Sequence, residues 1–276
     1  MSGPRDRFSP LALTFVTLGA LVMAAPLIWT LLLSLKANSE LMRDSGAAFH
    51  PPYTLENYRQ ILSGDRVFRW LGNSLIVSLG TTAGVLALAS LAGYGFARLD
   101  FPFRRSLFVF VLLGLAIPEQ AVILPQHRLF ADLGLHNSYP GLILPGLVGP
   151  FGVFFMTQYF KAIPRDLDEA AALDGASRFK IFWRVLLPLT VPAQATLAVF
   201  TFLGTWNAYW WPLISATTAD MFTLTIGLAS SQANYAQTNG MGYLMAQAVF
   251  ASLPIFMLYI VFQKQIVRAM AGTSLR

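Results

Sequence analysis

The sequence predicts an all-α membrane protein with six transmembrane helices, and three observations carry that prediction. Apolar residues make up 55% of the 276-residue chain and charged residues only 12%, far from the balance of a water-soluble domain. Runs near or above the ~20 residues needed to cross about 30 Å of hydrocarbon recur along the chain. None of them alternates apolar and polar residues as a barrel strand does, so the backbone groups placed in lipid are paired within helices.

The first run, about Leu11 to Leu35, follows Arg5 and Arg7, and Ala24-Ala25 mimics a cleavage region. It continues through Pro26, too far for the apolar segment of a signal peptide, so a retained first span is expected. The connection from Lys36 to Trp70 contains Pro51-Pro52 and then T-L-E-N-Y-R-Q-I-L. There the helical spacing of Leu55, Tyr58, Ile61 and Leu62 predicts a short amphipathic helix on the outer surface. The second span, about Leu71 to Ala97, ends in the tight basic turn R-L-D-F-P-F-R-R.

The third span, about Leu107 to Leu124, carries Pro118-Glu119-Gln120 and Pro125, so its outer end is expected to be kinked or broken. Glu119 has two readings. An acid at membrane depth faces a cavity or a partner; alternatively Glu119, about 13 residues or roughly 20 Å beyond Ser106, is solvated at the outer interface. The fourth span runs from about Gly141 to Phe160, the fifth from Leu186 to Ile214 and the sixth from Tyr243 to Phe262. Between the last two, Ser215 to Gly240 is polar, with Thr217, Thr218 and Asp220, and reads as an outer loop, either touching an extracytoplasmic partner or simply solvated.

Charge sets the orientation. Six spans put both termini on one side, together with the connections near residues 98–106 and 161–185, and that side holds thirteen of the nineteen basic residues, so it is expected to be the cytoplasm. The net charge of +6 then anchors the inner face to anionic lipid and does not describe a nucleic-acid surface. The expected location is the cytoplasmic (inner) cell membrane, crossed several times.

Within the second inner connection lies a polar island, I-P-R-D-L-D-E-A-A-A-L-D-G-A-S-R-F-K-I-F-W-R-V-L-L-P. Pro164 suits a first helical turn. Asp166, Asp168 and Glu169 place negative charge at the positive end of the helix dipole. Leu167, Ala170, Ala171 and Leu173 share an apolar face, Gly175 suits a left-handed stop, and Ser177 suits a cap for a second helical segment. A helix of about ten residues is marginal alone in water and needs a surface to rest on. Ala170 and Ala171 admit close packing and Glu169 and Asp174 offer carboxylates, so either a cytoplasmic protein docks here or the helix lies on the bilayer.

The stretch Glu169 to Ala176, E-A-A-A-L-D-G-A, followed by Leu186-Leu187-Pro188, resembles the signature loop of ABC importer permeases. More narrowly, the chain resembles the carbohydrate-uptake branch and the smaller permease subunit of maltose-type systems. The likeness extends through N-S-L-I-V at Asn73, Y-x-x-A-R-x-x-F at Tyr94, W-N at Trp206 and W-P-L at Trp211. It implies a type I importer permease fold whose loop is a coupling helix seated in a cleft of a separate ATPase, with Glu169, Ala170, Ala171, Asp174 and Gly175 at the contact. It further implies a second permease subunit, two ATPase subunits carrying ATP and magnesium, and an extracytoplasmic solute-binding protein. The expected divisions are residues 1–69 for the first helix and outer loop, 70–265 for the transmembrane domain proper, and 266–276 for a cytoplasmic tail. That tail, A-G-T-S-L-R, departs from the ending of near relatives.

The chain has no G-x-x-x-x-G-K-[ST] phosphate loop, so nucleotide is expected on another subunit and no cofactor on this one. It has no cysteine, and His50, His127 and His136 lack ligand spacing and read as solvated or interfacial, so no metal site is expected. No nucleophile, base and orienting group come together as an enzyme requires. A solute path is expected to draw on Trp206, Asn207, Tyr209 and Trp210 with Gln158, Gln194 and Gln247, because aromatic faces and amides suit sugars; the same aromatic residues also suit an interfacial belt. The competing class is a secondary transporter or channel using Glu119 as an ion- or proton-linked site.

Overall fold

The computed structural model describes residues 9–44, 46–238 and 240–272; the readings placed on Arg5, Arg7, Arg276 and the end of the tail lie outside the described residues. The principal helices are α1 (Pro10–Ser34), α2 (Glu56–Ser63), α3 (Asp65–Arg98), α4 (Arg104–Leu113), α5 (Glu119–Asp132), α6 (Tyr139–Leu147) and α7 (Pro150–Ala162). They continue with α8 (Asp166–Leu173), α9 (Arg178–Leu189), α10 (Val191–Trp206), α11 (Trp210–Ser215), α12 (Leu224–Thr238) and α13 (Gly240–Gly272). By length and composition α1, α3 and the first part of α13 are each fit to cross a membrane unaided, and three bent pairs raise the total to six.

The bends follow the prolines. The chain turns by 102° between α4, extended to Ala116 by a tight turn, and α5, with Ile117 extended just before Pro118. Proline disfavours helical geometry in the residue before it and has no amide to donate, so the expected break falls where the sequence places it. A bend of 47° separates α6 from α7 at Pro150.

The fifth span requires correction. In place of one helix over Leu186 to Ile214 there are α9, a 75° bend at Thr190, α10, and the separate short α11. Pro188 and Pro192 flank the bend, and side chains satisfy its acceptors: Thr190 Oγ1 donates to the Leu187 carbonyl at 2.7 Å, and the Gln194 amide donates to that carbonyl at 3.2 Å and to Thr190 Oγ1 at 2.7 Å. Within α9, Ile181–Leu186 is wound as a π-helix. A second correction concerns Ser215 to Gly240, which holds the 15-residue helix α12 and is not a loop throughout.

The described chain forms two compact units, one from the residues up to Asp65 with Leu228–Leu253, the other from Arg66–Gly227 with the chain from Pro254 onward. In the first, α2 forms as expected but presents a different face. Leu55 and Leu62 are exposed, while Ile61 is 1% exposed and Asn57 is buried. The Asn57 amide donates to the carbonyls of Ser34 at 2.8 Å and Lys36 at 2.9 Å. A helix leaves its last carbonyls without intrahelical donors, so the end of α1 selects the face of α2 that supplies one. Lys36 is buried too, its ammonium held by Glu40 and by the carbonyls of His50 and Pro52, 4.7 Å over the Tyr53 ring.

The second unit has its apolar core where α3, α7, α9 and α10 meet, around Val85, Tyr94, Met156, Phe160, Phe182 and Leu197. Close approach is achieved by leaving out side chains. A Cβ on Gly93 would stand 2.7 Å from Met156 Cβ and 2.9 Å from the Thr157 amide nitrogen, so only glycine lets α3 lie this near α7.

Candidate functional site: a braced helix with a free face

Helix α8 begins at Asp166, two residues after Pro164, with Asp166, Asp168 and Glu169 in its first turn. Gly175 ends it with φ +76°, a left-handed conformation that a side chain would strain, and Ser177 Oγ caps α9 by accepting from the Lys180 amide at 3.3 Å. Local structure here follows the sequence closely.

Three polar contacts and apolar packing fix α8 and the residues flanking it to the rest of the unit. The guanidinium of Arg98, at the end of α3, lies 3.3 Å from Asp168 Oδ2, an ion pair by distance without hydrogen-bond geometry, with the two side chains only 6% and 23% exposed. Arg98 also donates to the Ile163 carbonyl at 2.6 Å, just ahead of α8. Beyond the helix, the Tyr94 hydroxyl donates to the Arg178 carbonyl at 3.1 Å. Ala171 and Ala176 pack on the core of the unit. The buried ion pair links residues seventy positions apart, and nothing in spacing or periodicity announces it. Its only sequence trace is that Arg98 sits inside the Y-x-x-A-R-x-x-F motif.

These contacts divide the five expected coupling residues. Ala171 is turned to the core, so its small size serves packing within the chain. Ala170, Asp174 and Gly175 are exposed away from that contact, and Glu169 is exposed at its edge, beside Asp168. Leu173 is 89% exposed and Leu167 41%, whereas the expected face grouped both with Ala171. Between α8 and the end of α3 lies a cavity of about 250 Å³, lined by Tyr94, Arg98, Arg165, Asp168, Glu169 and Arg178 among others. The result is a helix packed on its unit along one face, with Asp174, Leu173 and Leu167 exposed.

The expected solute-path residues are not gathered in this way. Trp206 is 3% exposed and stacked on Phe202, with ring centroids 5.6 Å apart. Asn207 is exposed and donates back to the Leu203 carbonyl at 2.9 Å, and Gln194 is engaged at the Thr190 bend. Tyr209 and Trp210 are partly exposed and meet edge to face, and Gln158 is exposed. Gln247 belongs to the other unit, 2% exposed, with its side-chain oxygen unbonded. Glu119 is exposed in the first turn of α5, where the helix dipole favours an anion. Of the histidines, His50 is exposed, while His127 and His136 are half-buried with ring centroids 4.4 Å apart, and His136 packs on Trp211.

The opposite end of the second unit is tied down by neutral hydrogen bonds. Asn73 donates to the carbonyls of Asp220 at 2.7 Å and Phe222 at 2.9 Å and accepts from the Tyr139 hydroxyl at 2.8 Å. Trp70 donates to the Ala219 carbonyl, Ser74 accepts from the Leu224 amide, and Trp211 donates to the Gly141 carbonyl at 2.9 Å. The N-S-L-I-V and W-P-L motifs therefore hold backbone in place.

Residues 85–272 match the family model described as the binding-protein-dependent transport system inner membrane component. The chain is 39% identical to the arabinooligosaccharides transport system permease protein AraQ of Bacillus subtilis, covering 92% of this chain and 91% of that protein. It is 31% identical to the diacetylchitobiose uptake system permease protein NgcG of Streptomyces coelicolor (98% and 90% covered) and 29% identical to the sn-glycerol-3-phosphate transport system permease protein UgpE of Brucella abortus (93% and 94%). Its fold is similar to that of a chain in the crystal structure of a bacterial ABC transporter involved in the import of the acidic polysaccharide alginate, with a TM-score of 0.82 at 21% identity over 96% of this chain and 98% of that one.

Proposed function

This chain belongs to the family of binding-protein-dependent transport system inner membrane components, and from that premise we propose that it forms part of the membrane path of an ATP-driven importer, with α8 as the helix on which a separate ATPase docks. It is an inner-membrane permease subunit of the type I importer fold. Its solute is a sugar or a related polyol- or glycerophosphate-type compound, a class supported by the relatives that handle arabinooligosaccharides, diacetylchitobiose and sn-glycerol-3-phosphate.

The observation that carries the docking role is the exposed face of α8, Ala170, Leu173 and Asp174 with Glu169 at its edge, on a helix paired to α3 through Arg98 and Asp168. In this reading the end of the second unit bearing α8 and both chain termini lie in the cytoplasm, in keeping with thirteen of nineteen basic residues on that side. Two ATPase subunits bind ATP and magnesium, a second permease completes the path, and a solute-binding protein delivers from outside. This chain catalyses no reaction itself.

The geometry gives the coupling a physical route. Closure of the ATPases displaces α8, and the displacement passes to α3 through Arg98 and to the core of the unit through Ala171 and Ala176, with the Tyr94–Arg178 bond tying α3 to α9. Nucleotide drives the path outward only by binding the outward-facing assembly more tightly than the inward-facing one. Reversing a 1:99 preference takes a differential of about 5.5 kcal/mol. A loosely held helix would give way before transmitting that bias, which is why α8 is braced. Co-expression with the neighbouring transport genes tests the reading: the chain should co-purify with an ATPase, and Glu169→Lys should sharply reduce both that association and solute uptake. Failure to recruit an ATPase, together with intact uptake in Glu169→Lys, would sink it.

A further inference from the structure

Next to α8, on the same unit, a second and larger groove of about 560 Å³ opens between α4, the end of α3 and the end of α7. Its lining is divided by chemistry. One wall is apolar, made by Phe96, Phe108, Val109 and Leu112. Its rim carries five cations, Arg98, Arg104, Arg105, Lys161 and Arg165, and no acid lines it.

Two of the five are committed elsewhere. Arg98 pairs with Asp168, and Arg104 pairs with Asp100 at 2.6 Å and donates to the Leu99 carbonyl at 2.9 Å. The other three are exposed. Lys161 stands 5.4 Å over the Phe108 ring, and among the described residues neither Arg105 nor Arg165 has an ion-pair partner. Three cations therefore converge on a groove without an anion to satisfy them.

The apolar wall decides what kind of anion fits. Phe108, Val109 and Leu112 lie four to eight residues past Arg104, about 6–12 Å along α4 at ~1.5 Å per residue. Beyond the groove α4 goes on exposing apolar side chains, with Phe110 72% and Leu113 59% exposed. A soluble phosphate would use the rim and leave the wall bare, and an acidic protein loop would have to enter the hydrocarbon to reach Leu112. An amphiphile with an anionic head and an aliphatic chain uses both parts, and cytoplasmic-leaflet lipids supply such molecules.

We propose that this groove is a binding site for one anionic phospholipid, its phosphate held by Arg105, Lys161 and Arg165 and an acyl chain lying along Phe108, Val109 and Leu112. The site rests on the reading that places this end of the unit at the inner leaflet. It adds a regulatory consequence, because Arg98 and Arg165 line both this groove and the cavity under α8. An anion seated here adjusts the charge immediately behind the Arg98–Asp168 brace, so lipid composition tunes the coupling of ATP hydrolysis to uptake.

Native mass spectrometry of the assembled transporter, delipidated and titrated with phosphatidylglycerol or phosphatidylcholine, tests this. Phosphatidylglycerol should be retained about tenfold more strongly, a difference expected from a few lysine and arginine contacts at a membrane surface. The double variant Arg105→Gln/Lys161→Gln should abolish that preference, while the conservative Arg105→Lys/Lys161→Arg and the control Arg59→Gln, which does not line the groove, keep it. Equal retention of the two lipids, or a preference that survives the double glutamine variant, overturns the proposal. Displacement of phosphatidylglycerol by millimolar inorganic phosphate identifies a soluble-anion site and also overturns it, as does a preference found on the isolated chain but lost once the ATPase is bound. The same spectra show whether an ATPase is present: its presence without lipid preference refutes the lipid site alone, and its absence refutes the importer reading.

Discussion

Two ion pairs involve the same long helix, α3, and they are built in opposite ways. Near its start Arg69 meets Asp220 at 2.5 Å, with side chains 58% and 74% exposed; at its end Arg98 meets Asp168 at 3.3 Å, with side chains 6% and 23% exposed. By distance the first is the stronger. By environment it is the weaker, because water and salt screen it, whereas the second lies in a medium of lower dielectric where each charge depends on the other. The surroundings follow the same division. The first pair sits among neutral bonds from Trp70, Asn73 and Ser74 that already hold the returning chain, while the second braces a helix whose outer face is left unbonded. One end of the unit is latched; the other is presented.

The largest expected effect breaks the presented end. Asp168→Ala leaves Arg98 buried without its counter-charge, and losing one partner of a buried pair costs about 3 kcal/mol. Thermal unfolding of the purified permease in detergent should show that loss, and Arg98→Met/Asp168→Ala should recover part of it by removing the stranded charge. A cost for Asp168→Ala well under 1 kcal/mol would mean that α8 is held without the ion pair, by the packing of Ala171 and Ala176 and the backbone contacts of Arg98 and Tyr94.

A smaller effect is expected at the latched end. Asn73→Ala removes two donors and an acceptor from a site 3% exposed, leaving the carbonyls of Asp220 and Phe222 and the Tyr139 hydroxyl without partners. Unsatisfied buried groups of this kind cost about 2 kcal/mol in total. The readout is the same unfolding assay, and uptake by the surviving fold should persist. If Asn73→Ala matches Arg69→Ala instead, the neutral bonds are not what holds this end.

What the sequence revealed and what it hid follows from the range of each interaction. The start of α8, the left-handed Gly175 and the break before Pro118 depend on neighbours within a few residues, and each was legible. The Arg98–Asp168 brace depends on tertiary contact and was not. Helix α12 escaped because its polar residues lowered hydropathy below that of a span, although helix needs only backbone bonds and some packing. The fifth span was drawn too long because hydropathy alone ran through Pro188 and Pro192, whose lost amide donors determine where the chain bends. The solute-path residues were chosen by type, and type does not announce their contacts within the chain, such as the stacking of Trp206 on Phe202 or the bond of Gln194 to Thr190.

The smallest effect tests the comparison most directly. If separation set the strength of an ion pair, Arg69→Ala would cost more than Asp168→Ala, because its partner is 0.8 Å closer, 3.3 against 2.5 Å. Exposure predicts the reverse order. With both side chains more than half exposed, the Arg69–Asp220 pair is expected to contribute under ~1 kcal/mol, and less as salt rises, because near 1 M the screening length falls to about 3 Å. Unfolding of Arg69→Ala measured at low and high salt should therefore converge on the wild-type value, while the deficit of Asp168→Ala should hardly change. Should Arg69→Ala prove as costly as Asp168→Ala, and keep that cost in high salt, burial would not be what distinguishes the two ends, and α8 would lose its claim to be the more firmly braced of the two.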